Sequence, residues 1–195
     1  VAVGKTEEGK TVLVTGAVPG DLVNAKVKKA KSKYFEAEVV EILEKSPFRV
    51  DAKCKHFGVC GGCKWQSLSY DKQLDFKNDE VYNNIKRIGG VDGFEALPIL
   101  GSAEQYFYRN KMEFSFSDSR WLTADEINSE DNFDNKNALG FHIPGMWSKI
   151  LNLDECFLQE EPSNQIRLAV KKFADENGLE YFDLKNQKGF LRTMM

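Results

Sequence analysis

The sequence predicts a protein of mainly β and α+β class, in which a small N-terminal β-barrel precedes an α+β domain. The first fifty residues form short runs of alternating apolar and polar residues separated by turn residues, which is typical of a small barrel. The later residues combine segments of helical period with further alternating runs. The length of 195 residues allows one large domain or two small ones.

The predicted barrel rests on two clear strands and one turn. Residues 11–15 and 34–43 alternate as half-buried strands do. Residues 16–21 between them carry Gly, Pro and Asp, which a tight reversal of the chain requires. Residues 22–27 alternate as well and lead into a run of lysines.

The second part of the chain predicts two helices and several strands. The apolar spacing over 73–88, closed by Gly89-Gly90, indicates an amphipathic helix. A second helix over 163–177 is expected to bury its apolar residues, which are Ile166, Leu168, Ala169, Val170 and Phe173. Strands are predicted over 108–116 and 189–195, with a hairpin of 138–143 and 149–153 that turns at Pro144-Gly145. The acidic, Asn-rich stretch 117–137 is expected to form a surface loop.

Composition and charge restrict the possible function. No run of about 18 apolar residues is present, so the sequence predicts no membrane span. The N-terminal residues do not resemble a signal peptide, so we expect a cytoplasmic protein. The formal net charge is −3, but residues 26–55 hold nine basic and five acidic residues. Such a local excess of positive charge can mark a binding face for an anionic partner.

The four cysteines carry the strongest functional signal. Cys54, Cys60 and Cys63 lie within ten residues around Gly61-Gly62, and Cys156 follows far downstream. Thiolates select zinc or iron–sulfur clusters. Zinc could use the same four cysteines, or His56 with the three that are clustered. A structural zinc site usually pairs two closely spaced couples, and the lack of a second couple favours an iron–sulfur cluster. The remaining alternative is ordinary buried thiols.

These residues resemble a known family. The segments Cys54-Lys-His-Phe-Gly-Val-Cys-Gly-Gly-Cys-Lys-Trp-Gln66, Tyr108-Arg-Asn-Lys111 and Asp154-Glu-Cys156 are similar to the iron–sulfur-containing RNA (uracil-5-)-methyltransferases, which make 5-methyluridine in 23S ribosomal RNA. The lysine-bearing segment before them resembles a TRAM domain, an OB-like RNA-binding barrel.

The resemblance implies a domain arrangement and a set of cofactors. An N-terminally incomplete TRAM barrel would span 1–46. A central domain would span 47–195, with the cysteine loop at 54–63 and a surface insertion at about 117–137. Cys54, Cys60, Cys63 and Cys156 would hold a 4Fe–4S cluster that acts as a structural staple, a redox sensor being the competing role. S-adenosylmethionine would bind in a C-terminal methyltransferase domain that is missing here.

Catalysis in this family is implied to begin with a cysteine thiolate that adds to uracil C6, so that C5 can accept the methyl group. All four cysteines match cluster ligands. We therefore expect the nucleophile, the base and the methyl donor in the missing domain, and we expect the present fragment to be inactive by itself.

The expected partner is RNA, most directly 23S rRNA, and we expect a monomer. Candidate phosphate contacts are Lys28, Lys29, Lys31 and Lys33 between two strands, with Tyr34 as a stacking platform. Arg109 and Lys111 would share one face of a strand and form a second contact. Two alternatives remain open. One is a stand-alone RNA-binding module with a structural zinc or iron–sulfur site, and the other is an electron-transfer protein without RNA affinity.

Overall fold

The computed structural model of the chain describes residues 1–6, 8–130 and 135–195. The chain forms two compact units, one of residues 1–52 with 65–101 and the other of residues 53–64 with 102–195. This division differs from the expected boundary after residue 46. Residues 48–50 pair with 67–69 through backbone bonds from Val50 N–H to the Ser67 carbonyl and from Ser69 N–H to the Phe48 carbonyl. These bonds keep both segments in the first unit.

The first unit contains a four-stranded sheet rather than a ring of strands. Its strands are β1 (Ala2–Lys5), β2 (Thr11–Thr15), β3 (Leu22–Ala30) and β4 (Tyr34–Glu44). The order is β1-β2-β4-β3, with β2 parallel to β4 and the other two pairs antiparallel. The predicted strands 11–15 and 34–43 are confirmed, and the second is one residue longer. β1 pairs with β2 from Ala2 opposite Val14 to Lys5 opposite Thr11.

A buried carboxylate fastens the turn between β2 and β3. The Asp21 side chain is 0% exposed and forms an ion pair with Arg49, which is 13% exposed. Asp21 also accepts hydrogen bonds from the backbone N–H groups of Val18 at 2.8 Å and Ser46 at 2.9 Å. Burial tends to raise the pKa of Asp21, but the bonds from Arg49, Ser46 and Val18 outweigh it and lower the pKa to about 2.

The helix predicted over 73–88 forms with different bounds. α1 runs from Tyr70 to Asn83, and the chain then continues as a π-helical turn from Asn84 to Ile88. The helix starts early because the Gln73 N–H bonds to the Ser69 carbonyl at 3.0 Å. The predicted end at Gly89 is confirmed as the cap of the π-helical turn.

The second unit is built on a five-stranded sheet of order β6-β8-β7-β5-β9. Its strands are β5 (Phe114–Ser117), β6 (Arg120–Trp121), β7 (Ala138–Ile143), β8 (Met146–Asn152) and β9 (Thr193–Met194). Its helices are α2 (Ala124–Asn128) and α3 (Ser163–Glu176). The core between them is apolar and includes Met112, Phe114, Phe116, Leu139, Leu151 and Leu153.

Several expectations for this unit need correction, and one is the strand expected over 189–195, which is limited to β9. The strand expected over 108–116 is limited to β5, because the N–H groups of Phe107 and Arg109 bond to the carbonyls of Phe157 and Leu158 instead. The stretch expected to be a surface loop contains β6 and α2, and its residues 131–134 lie outside the described residues. The last correction concerns α3, which ends one residue earlier than predicted and whose buried face differs from the predicted one.

The buried residues of α3 are Asn164, Arg167 and Ala174, at helical spacing. The expected core residues Ile166 and Phe173 are 50% and 61% exposed. A polar stripe of this helix therefore faces the interior of the second unit. Across the described part of the chain, the helices are too short or too polar to cross a membrane.

Candidate cysteine centre and nucleic-acid interface

The second unit brings the four cysteines together. Cys54, Cys60 and Cys63 lie on a turn-rich loop, and Cys156 lies between β8 and α3. All four are free thiols and half-buried. Cys60, Cys63 and Cys156 pack against the apolar core of this unit, together with Val59. One side of the cluster of thiols is thus closed by the core.

The cysteine loop rests directly on strand β7. The Gly61 N–H donates to the His142 carbonyl at 3.2 Å. A Cβ atom at position 61 would lie 2.5 Å from that same oxygen, so only glycine allows this approach. The neighbouring Gly62 is less restricted, since its Cβ would make ordinary contacts of 3.5 Å with Cys60 Sγ and Phe141.

Two polar contacts tie the loop to the segment that carries Cys156. Lys55 Nζ forms an ion pair with Asp154 Oδ2 at 2.7 Å. The Asp154 N–H donates to His56 Nε2 at 3.4 Å. Residues 55–56 and 154 therefore hold the two cysteine-bearing segments side by side without a covalent link.

The four thiols are close enough to influence one another electrostatically. A charge on one raises the pKa of another for every pair among Cys54, Cys60, Cys63 and Cys156. Burial raises the pKa of Cys60 to about 11, with the other three thiols adding to the effect and the Gly62 N–H opposing it. Burial also raises the pKa of Cys54 and Cys156. Without a cation, the raised pKa values keep Cys54, Cys60 and Cys156 protonated at neutral pH and make them poor nucleophiles.

Backbone N–H groups already point at sulfur, from His56 and Phe57 to Cys54, from Gly62 to Cys60 and from Leu158 to Cys156. The Gly62 N–H lies 3.3 Å from Cys60 Sγ. Such N–H···S bonds stabilise thiolates bound to iron and influence the reduction potential of a cluster. Within residues 1–6, 8–130 and 135–195, however, no group of three or more His, Cys, Asp or Glu side chains is arranged to hold a single metal ion. The sequence-based assignment of the four cysteines as ligands remains a prediction.

His56 is engaged elsewhere. Its Nε2 accepts the Asp154 N–H, and burial lowers the pKa of its ring below the ordinary value. The zinc alternative that uses His56 in place of Cys156 would have to break this contact between the two segments.

Two residues near Cys156 were not predicted from the sequence. Asn164 holds the cysteine backbone from both sides, since its Oδ1 accepts the Cys156 N–H at 2.9 Å and its Nδ2 donates to the Cys156 carbonyl at 3.1 Å. Arg167 Nη1 donates to the same Asn164 Oδ1 at 2.9 Å. The available signal was the i, i+3 spacing of these two polar residues on a helix shortly after Cys156.

An aromatic group covers the start of the cysteine loop. Lys53 Nζ lies 4.8, 5.0 and 4.7 Å from the ring centroids of Tyr106, Phe107 and Phe157. Burial raises the pKa of Tyr106, and Cys63 and Cys54 raise it further, which shows that this ring is near the thiols. The exposed Lys53 thus places its ammonium against these aromatic rings.

The predicted RNA-contacting lysines of the first unit differ from one another. Lys28 and Lys29 belong to strand β3 rather than to a loop, and Lys28 forms an exposed ion pair with Glu38 at 2.7 Å. Lys31 and Lys33 lie in the turn between β3 and β4, closed by the Lys31 N–H bond to the Tyr34 carbonyl at 2.9 Å. We call Lys29, Lys31 and Lys33, which are all exposed, the hairpin lysines.

Tyr34 is half-buried, and its hydroxyl donates to Glu36 Oε1 at 3.5 Å. Its neighbour Phe35 is also half-buried and lies 3.9 Å below the ammonium of Lys10. The hairpin therefore carries the ring of Tyr34 beside exposed lysines, whereas the ring of Phe35 is already covered by the ammonium of Lys10.

Arg109 and Lys111 are exposed in the second unit, but they do not share a strand face, since both precede β5. Arg109 lines a cavity of about 390 Å³ with Phe107, Met112, Phe114 and Ile166. The lining also includes polar residues, among them Gln159 and Glu160, so the cavity combines a guanidinium with apolar and polar groups.

Comparison with known proteins gives one clear domain assignment. Residues 2–40 match the TRAM domain. The match covers strands β1 to β3 and the first part of β4, including the hairpin lysines. TRAM is therefore the part of the sequence-based interpretation that is confirmed.

The whole chain is similar to RNA methyltransferases. It is 47% identical over 184 residues to a protein of Bacteroides thetaiotaomicron named an uncharacterized RNA methyltransferase, which takes in 94% of this chain and 40% of the relative. It is 44% identical over 194 residues to a protein of Chlorobaculum tepidum with the same description, and covers 40% of that protein. The expectation of a fragment without its catalytic domain is corrected. The comparison shows that the chain spans about two fifths of the length of these relatives.

The fold is similar to that of a solved RNA methyltransferase. The crystal structure of Pyrococcus abyssi tRNA (uracil-54, C5)-methyltransferase in complex with S-adenosyl-L-homocysteine matches 98% of this chain with a TM-score of 0.60 and 26% identity. The match again takes in 40% of the solved chain.

Proposed function

We propose that this chain is the RNA-binding and cluster-binding portion of an S-adenosylmethionine-dependent RNA uracil-C5 methyltransferase. The observation that carries the proposal is the likeness over 98% of the chain to a tRNA uracil-C5 methyltransferase that was solved with S-adenosyl-L-homocysteine. The 47% identity to a protein named an RNA methyltransferase supports the same reaction class. Because the chain spans 40% of these proteins, we assign methyl transfer and S-adenosylmethionine binding to the whole protein.

The proposed product is 5-methyluridine in 23S rRNA. The cysteine element favours ribosomal RNA through the family resemblance, whereas the solved relative acts on tRNA. The two targets are distinguished by incubating the full-length protein and radiolabelled S-adenosylmethionine with transcripts of either RNA. Nucleoside mass spectrometry then identifies the methylated nucleoside. 5-Methyluridine in tRNA alone would replace the ribosomal target, and none in either RNA would overturn the reaction class.

The hairpin lysines are the proposed phosphate contacts of the first unit. They are exposed on a TRAM match, and hydrogen bonds in the turn hold Lys31 close to Tyr34. Lys28 contributes less, because Glu38 already neutralises it. Tyr34 is the proposed stacking residue, and Arg109 and Lys111 are proposed as a separate contact on the second unit.

RNA binding is tested by fluorescence anisotropy with labelled 23S rRNA and tRNA fragments. Replacing the three hairpin lysines by Gln should weaken binding and reduce the slope of log K against log salt by about 2 to 3, since each phosphate contact adds roughly 0.7 to 0.9. The matched control removes the same charge from exposed positions elsewhere, at Lys172, Lys185 and Lys188. Equal effects of the two triple variants would show that net charge, rather than the TRAM hairpin, governs binding.

The four cysteines are the proposed ligands of a 4Fe–4S cluster. The donor set fits, because four half-buried thiols influence one another in every pairing and a backbone N–H already points at Cys60 Sγ. Each thiolate of such a cluster binds a different iron, so the sulfurs need not gather around one point as they do for a single zinc ion. Bound there, the cluster would supply the positive charge that turns the thiols into thiolates and would join the loop to Cys156.

Anaerobic purification followed by iron, sulfide and zinc analysis tests this assignment. The expected result is about four irons and four sulfides per chain. Replacing Cys54, Cys60, Cys63 or Cys156 singly by Ser should remove most of the iron, whereas His56→Ala should retain it. One zinc without iron would instead support the stand-alone RNA-binding module with a structural zinc site.

A further inference from the structure

Helix α3 carries a buried arginine whose charge has no obvious partner. Arg167 is 1% exposed, and it is the largest of the fully buried side chains among the described residues. Its Nη1 donates to Asn164 Oδ1, and its guanidinium lies 5.0 Å from the ring centroid of Phe114. Its Nε and Nη2 are buried and have no hydrogen-bond partner in the described part of the chain.

Such an arrangement costs stability unless something compensates for it. A guanidinium stays charged in proteins and presents five N–H donors. Removing the charge from water without a paired anion is unfavourable by several kcal/mol. Among the ion pairs found between described residues, none includes Arg167. The carboxylates of Asp154 and Glu161 act on it only through space, and Cys156 would act more strongly than either once it is a thiolate.

The position of Arg167 indicates what the compensating anion is. Asn164 connects it to the backbone of Cys156, because Asn164 Oδ1 accepts from both Arg167 Nη1 and the Cys156 N–H. Of the charged groups that act on Arg167, Cys156 has the largest effect. The polar stripe of α3 therefore turns an arginine toward the cysteine centre, while its apolar residues Ile166 and Phe173 remain exposed.

We propose that Arg167 is a positioning residue of the cysteine centre, supplying the counter-charge and the N–H donors for an anionic iron–sulfur cluster held by the four cysteines. The inference rests on the proposed cluster. Four thiolates bring more negative charge than the cluster core neutralises, and a buried guanidinium nearby offsets the excess. Hydrogen bonds and net charge around the sulfurs are the protein's means of setting cluster potentials.

The test compares four forms of the anaerobically loaded chain: wild type, Arg167→Met, Arg167→Lys and Lys172→Met. Arg167→Met keeps most of the volume and removes the charge, whereas Arg167→Lys keeps the charge. Lys172 lies on the same helix with a side chain that is 75% exposed, so Lys172→Met removes one positive charge away from the interior. Circular dichroism confirms folding, and a redox titration measures the potential as the titrant supplies one electron to the cluster.

A lost counter-charge makes the reduced, more negative cluster harder to form. At a fixed potential the ratio of reduced to oxidised cluster should fall at least tenfold in Arg167→Met, which is a shift of about 59 mV for a one-electron couple. Arg167→Lys should restore most of the wild-type value, and Lys172→Met should leave it unchanged. Iron loss to a chelator should also be several-fold faster in Arg167→Met alone.

The outcomes separate the inference from the proposed cluster. If wild type holds no iron, both fail. If wild type holds the cluster and Arg167→Met loses iron faster without any change in potential, Arg167 supports the fold through Asn164 and Phe114 only, and the inference is overturned. If Arg167→Met does not fold, wild type labelled with ¹⁵N-guanidino arginine decides. Hyperfine coupling of that nitrogen to the reduced cluster supports the inference, and its absence refutes it.

Discussion

Replacing Asp21 by Asn should destabilise the first unit in a pH-dependent way. Asp21 is 0% exposed, and its pKa is lowered from 3.8 to about 2 by its bonds to Arg49, Ser46 and Val18. Each pKa unit is worth about 1.4 kcal/mol, so the carboxylate contributes between about 2 and 3 kcal/mol at neutral pH. Since the folded pKa lies below the unfolded one, this stability is fully present above about pH 4 and is lost as the pH falls through 2.

The assay is a urea titration of the full chain at several pH values between 2 and 7, followed by the amide resonances of Val14 and Ala37. Both residues are buried in the sheet of the first unit, so they report on this unit specifically. The difference between wild type and Asp21→Asn should be largest at neutral pH and shrink below pH 4. Asp75→Asn is the control, because Asp75 forms an exposed ion pair with Lys72. Parallel curves for wild type and Asp21→Asn over the whole pH range would refute the reasoning.

Further predictions concern the second unit. Gly61→Ala should displace the cysteine loop, because the new Cβ would lie 2.5 Å from the His142 carbonyl oxygen. The iron content should then fall by more than half. Gly62→Ala is the control and should retain the iron, because its Cβ would make contacts of 3.5 Å. Thr123→Ala removes the hydroxyl that accepts the Glu126 N–H at 3.3 Å at the start of α2. That cap is worth about 1 kcal/mol, so the Glu126 amide should exchange with solvent about fivefold faster, and Thr123→Ser should exchange as wild type does.

Local patterns predicted the elements whose cause is local. The alternation over 11–15 and 34–43 predicted β2 and β4, although the first four residues of each strand are all at least partly buried. The extent of α3 also followed from its period and from Gly178 beyond its end. The Thr123-x-x-Glu126 capping box was readable in the sequence as well, but the acidic composition around it led to the expectation of a loop.

The buried face of α3 could not be read from its period alone. Periodicity shows which residues share a face, but not which face the surroundings require. Asn164 faces the interior because its side chain bonds to both the N–H and the carbonyl of Cys156. Cys156 precedes the helix, so the helical period does not reveal this contact. Ile166 and Phe173 are then carried outward on the same helix.

The candidate sites show the same limit. Spacing predicted that Cys156 would join the three clustered cysteines, because a four-thiolate site needs a distant ligand, and the structure does bring them into one unit. Counting charges, in contrast, could not distinguish the lysines. Lys28 is paired with Glu38, and the ammonium of the exposed Lys53 lies 4.7 Å from the Phe157 ring centroid.

The strand order of the first sheet determines when it can form during synthesis. β4 lies between β2 and β3, although it is the last of the four strands to be made. A ribosome adds roughly 5 to 20 residues per second, and a nascent chain folds from its N-terminus. β1 and β2 can pair as soon as they emerge, but β3 has no neighbour until Tyr34–Glu44 has left the exit tunnel. Arg49, which binds Asp21, emerges later still. β2 and β3 are not neighbours in the sheet, so each gains its shared partner only when β4 is available.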